Sequence, residues 1–92
     1  VIKSFAHKGL KRFFLKDEAS GIQPEHRQKL RVLLTALNEA EAIEQMALPG
    51  ADLYPLKHNL DGFWSVKVNA NWRLFFRFEG GSAYIVDYLD YH

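Results

Sequence analysis

The strongest constraint on this chain is a run of alternation in its second half. In Phe63-Trp64-Ser65-Val66-Lys67-Val68, Trp64, Val66 and Val68 fall in phase. In Trp72-Arg73-Leu74-Phe75-Phe76-Arg77-Phe78, Trp72, Leu74, Phe76 and Phe78 do the same. Period two in β-branched and aromatic residues predicts strands. Asn69-Ala70-Asn71 between them reads as a hairpin turn and Gly80-Gly81 as the next one. Ala83 to Tyr88 is then a last strand, and Leu53–Leu56 offers a possible fourth. Strands joined by such short turns must run antiparallel.

The first half follows a different period. Val1-Ile2-Lys3-Ser4-Phe5 alternates as a short strand. Leu10, Phe13 and Phe14 then recur at helical spacing, which predicts an amphipathic helix over about 8–18. Ser20-Gly21 stops it, and Pro24 suits the first turn of a second helix running from about 25 to 38. Leu30, Leu33, Leu34 and Leu37 form its core stripe, a further helical turn covers Ala40–Met46, and Pro49-Gly50 closes the helical half. The expected architecture is α+β: an N-terminal strand, two helices, then a mainly antiparallel three- to four-stranded sheet with the helices on one face. At 92 residues the chain is a single domain, 1–92. Without cysteine, its stability must come from packing or a partner. There is no apolar run of about 18 residues and no signal-peptide pattern, so a cytoplasmic protein with no membrane association is expected.

Parity places the functional candidates. If Trp72, Leu74, Phe76 and Phe78 face the helices, then Arg73, Phe75 and Arg77 face the other way. Two arginines flanking an aromatic on an open sheet face can hold phosphates and stack a base. They can equally do no more than solubilise that face. The net charge of +1 argues at first sight against a nucleic-acid protein. Resolved along the chain, residues 1–16 carry +5, residues 17–50 carry −3 and residues 51–92 carry −1. The basic stretch Lys8, Lys11, Arg12 and Lys16 is either a binding face or a solvated helix face. His7, His26, His58 and His92 have no zinc-type spacing, so no metal site or cofactor is expected. Asp90-Tyr91-His92 sets three proton-exchanging side chains together at the end of the sequence, a candidate for acid–base work or a frayed terminus.

These segments together resemble a known family. Leu53-Tyr54-Pro55-Leu56-Lys57, Gly62 through Asn69, Trp72-Arg73-Leu74-Phe75-Phe76 and Asp90-Tyr91-His92 look like the HigB "host inhibition of growth" toxins of the RelE/ParE superfamily. Ile2-Lys3-Ser4-Phe5 and His7-Lys8-Gly9-Leu10-Lys11 extend the likeness to essentially the whole chain. The resemblance implies a microbial-ribonuclease-like α+β fold and a type II toxin that cuts mRNA in the ribosomal A site without a metal. It implies catalysis by Lys57, Arg73, Asp90, Tyr91 and His92; Tyr54 at the family's site, and Phe75 and Arg77 from the parity of the sheet, are the expected substrate contacts. Relatives commonly carry a histidine where this chain has Tyr54. A phenol, with an ordinary pKa of about 10, is a poor base at neutral pH, so Asp90 or His92 would carry more of the proton transfer. Lys8, Lys11, Arg12 and Lys16 would grip ribosomal RNA.

The resemblance also implies partners: a HigA-like helix-turn-helix antitoxin, the ribosome and mRNA. The main alternative within the superfamily is a ParE-like toxin that poisons DNA gyrase and cuts no RNA. It shares the fold, so only the residues of the site discriminate.

Overall fold

The structure, a computed structural model, describes residues 1–57 and 60–90. Helix α1 spans Lys8–Lys16 and α2 spans Arg27–Glu39, preceded by a 3₁₀ turn at Pro24–His26 and followed by another at Ile43–Met46. Four strands follow: β1 Tyr54–Pro55, β2 Phe63–Asn69, β3 Trp72–Glu79 and β4 Ser82–Asp90. They form one antiparallel meander in the order β1-β2-β3-β4.

Local chemistry sets the boundaries. His7 caps α1, its Nδ1 accepting from the Leu10 N–H at 2.9 Å. Asp17 ends the helix two residues before the limit expected from periodicity. It takes the left-handed conformation (φ 58°), and Glu18 N–H returns to the Arg12 carbonyl at 3.3 Å. The β3–β4 turn needs positive φ at both Gly80 (58°) and Gly81 (78°), which glycine adopts without steric cost. β1 is short and lies at the edge, where the missing Pro55 N–H costs no ladder bond.

One expected element takes a different form. Residues 1–6 lie parallel to the outer edge of β4 but pair with it in two separate bridges, Ile2↔Ala83 and Phe5↔Val86, and not in a continuous ladder. The reason lies in β4. A bulge falls between the pairs Phe75↔Asp87 and Arg77↔Tyr84, with Ile85 in the left-handed region at φ 56°. That kink interrupts the ladder, and Ser4 Oγ takes up the Ile85 N–H at 2.8 Å. The same bulge lets Ala83, Val86 and Tyr88 all reach the core despite their uneven spacing.

The core lies between the helices and one sheet face. Leu10 and Phe13 from α1 and Leu30, Leu33, Leu34 and Leu37 from α2 pack with Val66, Leu74, Phe76 and Val86. One end of this core holds a buried polar network. Asn69 Nδ2 donates to His26 Nε2 (3.2 Å), since its Oδ1 already accepts from the Ala70 N–H (2.7 Å). That leaves His26 Nδ1 to donate to Tyr88 Oη at 2.5 Å. Burial pushes the Tyr88 phenol above its ordinary pKa, opposed by a backbone hydrogen bond from Gln23 and reinforced by the Glu25 carboxylate.

Candidate active site

The helices leave the other sheet face uncovered, and its side chains form cross-strand rows. Register places Tyr54, Ser65, Phe75 and Asp87 in one row, and Lys67, Arg73 and Leu89 in the next. Arg73 lies between β2 and β4, where three protein groups fix its guanidinium. Nε donates to Ser65 Oγ (3.0 Å), Nη2 to the Asp52 carbonyl (2.8 Å), and Nη1 pairs with the Asp52 carboxylate (3.4 Å). Asp52 reaches it because its backbone is left-handed (φ 50°) just before β1, and Lys67 N–H holds Ala51 C=O at 2.6 Å.

Arginine carries five N–H donors, so two remain for a ligand, one on each terminal nitrogen. They belong to a side chain only 16% exposed, whereas the Asp52 side chain is 66% exposed. The cation is thus held in a fixed orientation, and its counter-ion is mostly in water. Arg73 lines a cavity of about 300 Å³ with Asp52, Tyr54, Leu56, Ser65 and Phe75. An immobilised guanidinium at a concave site of this kind binds an oxyanion such as a phosphate with little reorganisation.

Of the residues singled out from the sequence, Tyr54, Arg73 and Phe75 share this cavity. Lys57 is exposed in the β1–β2 loop, one residue beyond Leu56, which lines the cavity. Asp90 ends β4 opposite Trp72, one step past the Arg73↔Leu89 pair. Tyr91 and His92, like His58, lie outside the described residues. Arg77 stands apart: its Nη2 pairs with Glu79 (3.1 Å), its guanidinium stacks over Tyr84 (5.1 Å), and it does not line the Arg73 cavity. Lys8, Lys11, Arg12 and Lys16 are all exposed on α1. That helix packs through Leu10 and Phe13 into the layer on the opposite side of the sheet from Arg73. Arg12 is also within 3.9 Å of Glu18.

The structure adds residues that the motif reading passed over. Ser65 and Lys67 flank Arg73 across the β2–β3 pairing, and the parity used for Arg73 would have placed both on its face. Asp52 lies in a loop whose left-handed turn has no signature in the sequence.

Comparison with known proteins places the chain in a family. Residues 3–92 match the family described as "RelE-like toxin of type II toxin-antitoxin system HigB". The chain belongs to the HigB-like toxin family. It is 42% identical over 92 residues, covering 100% of both chains, to "Endoribonuclease HigB" of Proteus vulgaris. A HigB-like toxin of a type II system is one half of a pair, so an antitoxin is its partner. No helix among its described residues is long and apolar enough to cross a membrane.

Proposed function

We propose that this HigB-like toxin is an endoribonuclease that cuts mRNA in the ribosomal A site and so arrests translation. The observation carrying the proposal is Arg73, held by Ser65 and Asp52 at a cavity on the uncovered sheet face, in a chain akin to a protein named as an endoribonuclease.

RNA brings its own nucleophile, the ribose 2′-hydroxyl. Cleavage needs a base for the 2′-hydroxyl proton, cationic donors for the phosphate and an acid for the leaving 5′-oxygen. Arg73 and Lys57 stabilise the charge developing on the phosphate. Asp90 and His92 divide the roles of base and acid, a contribution typically of 10²–10⁴-fold. Tyr54, a wall of the Arg73 cavity and 53% exposed, binds or orients the nucleotide, as does Tyr91. The bond from phosphorus to the 5′-oxygen breaks as the 2′-oxygen attacks, giving a 2′,3′-cyclic phosphate and a 5′-hydroxyl. The basic face of α1 contacts ribosomal RNA, and a HigA-like helix-turn-helix protein is the antitoxin.

The test adds the purified protein to a defined translating ribosome complex and maps the mRNA ends. Cuts within the A-site codon, bearing cyclic phosphates and lost in Arg73→Ala and on deletion of His92, support the proposal. Intact mRNA together with inhibited gyrase supercoiling would overturn it.

A further inference from the structure

A second cavity opens beside the first. It measures about 340 Å³ and shares Leu56 and Phe75 with the Arg73 cavity. Its other walls are Leu60, Phe63, Ile85 and Leu89, and among the described residues the single charged side chain lining it is Asp87. We infer that this cavity is a base subsite: it takes a nucleobase adjoining the phosphate held at Arg73, and the Asp87 carboxylate reads an amino group on that base. The inference deepens the nuclease reading and rests on it.

Charge assigns the two occupants. The Asp87 carboxylate repels a phosphate, while the aliphatic and aromatic walls around it suit the flat, apolar faces of a base. The neighbouring cavity, with Arg73, suits the anion. Asp87 pairs with Phe75, and Arg73 lies two residues along β3, a diagonal separation of about 7–8 Å in sheet geometry. One nucleotide unit of RNA can bridge that distance. The cavity stands at the small end of ligand pockets, which start at roughly 300 Å³, so it has room for a single base.

Asp87 is already oriented for such a contact. One carboxylate oxygen accepts the Tyr88 N–H at 2.9 Å, which anchors the side chain. No described residue donates to the other oxygen. As a carboxylate it only accepts, so it favours adenine, cytosine or guanine, each of which has an exocyclic amine. It disfavours uracil, whose edge carries two carbonyls about one N–H.

The bulge in β4 turns Ile85 into the cavity. A β-branched residue at φ 56° is a steric outlier, and this one is 45% exposed in the cavity wall. The bulge brings Ala83, Val86 and Tyr88 to the core, and the Ile85 side chain that it turns outward adds to the apolar wall. Leu60 and Leu89, likewise nearly half exposed, complete an apolar rim that a stacked base would cover.

The experiment measures single-turnover cleavage of ribosome-bound mRNAs with each A-site codon position varied through the four bases. The wild type should disfavour uracil at one position by about tenfold. Asp87→Asn keeps the oxygen that anchors to Tyr88 and replaces the reading oxygen with a donor, so it should abolish that bias. Placing purine riboside for adenosine at that position removes the amino group without touching the protein. It should slow the wild type about tenfold and leave Asp87→Asn unaffected. Active wild type with no uracil bias, or a bias unchanged in Asp87→Asn and insensitive to purine riboside, overturns the base subsite. So does unchanged base preference with weakened antitoxin neutralisation, which would make the cavity a protein-docking groove. A wild type that cuts no ribosome-bound mRNA instead overturns the nuclease reading itself.

Discussion

Replacing Arg73 by alanine should have two separable consequences. The first is structural. Ser65 is 2% exposed, and its Oγ takes the Arg73 Nε–H at 3.0 Å. An orphaned buried hydroxyl costs about 1–3 kcal/mol. In a domain of this size each kcal/mol lowers Tm by about 4–8 °C. The second is chemical. If Arg73 donates to the charge developing on the phosphate, its loss should lower kcat by about 10²–10³-fold. Arg73→Lys keeps the charge but offers its donors from one nitrogen, which cannot serve Ser65, Asp52 and a phosphate together. It should lose the equivalent of a charged hydrogen bond, roughly 10- to 100-fold.

A double variant separates the two effects. Removing both partners of a buried hydrogen bond is far cheaper than removing one. Ser65→Ala/Arg73→Ala should therefore recover much of the Tm lost in Arg73→Ala, with no recovery of cleavage. The assay pairs thermal unfolding with single-turnover mRNA cleavage, run well below the lower Tm. Cleavage by Arg73→Ala within threefold of wild type would refute the assignment. Recovery of cleavage in the double variant would refute it differently, by showing that Arg73 acts only through the fold.

Asp52 pairs with Arg73 at 3.4 Å through a largely exposed carboxylate, so Asp52→Asn should change stability by less than about 1 kcal/mol. Losing that competing anion should lower KM for ribosome-bound mRNA several-fold at low salt, and the gain should fade near 1 M salt; an unchanged KM would sink this reading. Reversing Lys8, Lys11 and Lys16 to Glu should weaken ribosome association and flatten its log-log salt dependence by close to one unit per lost phosphate contact. A salt slope equal to that of wild type would remove α1 from the ribosome interface. Tyr88 has a folded-state pKa raised by burial, so its contribution to stability is full below about pH 10 and is lost as pH climbs through the folded value. Tyr88→Phe should abolish that alkaline loss in urea titrations across pH 9–12. It should also cost about 1–3 kcal/mol at neutral pH, because His26 Nδ1 loses its partner.

The sheet was legible because its signal is strong and local: Trp72, Leu74, Phe76 and Phe78 alternate without a break, and the same parity turns Arg73 and Phe75 outward. Two features escaped for physical reasons. The bulge at Ile85 changes the inward spacing from two to three between Ala83 and Val86, so simple alternation misplaces the start of β4. Asp52 reaches Arg73 through a left-handed turn that aspartate tolerates, but a loop has no periodicity to say which strand residue it will meet. The reaction class came from resemblance rather than from spacing. Lys57, Arg73 and Asp90 have no periodic relation to one another: Lys57 lies in the β1–β2 loop, Arg73 on the uncovered face of β3, and Asp90 at the end of β4 opposite Trp72.

The position of the basic segment follows from the same logic. An amphipathic helix that packs on a sheet gives its apolar stripe to the sheet and turns its charges away. Leu10 and Phe13 do this for α1, so Lys8, Lys11 and Lys16 must point away from the sheet, while Arg73 lies on its uncovered face. The four cations of α1 therefore lie on the far side of the sheet from the Arg73 cavity, where salt screening over a Debye length of about 8 Å limits what they add to its field. A toxin built this way would meet its target with two surfaces. On the proposed function, the fixed guanidinium would serve the scissile phosphate and the exposed lysines of α1 would grip nucleic acid elsewhere. High salt should then loosen attachment well before it affects the rate of cleavage in the bound complex. Equal salt sensitivity of the two steps would mean that a single surface does both.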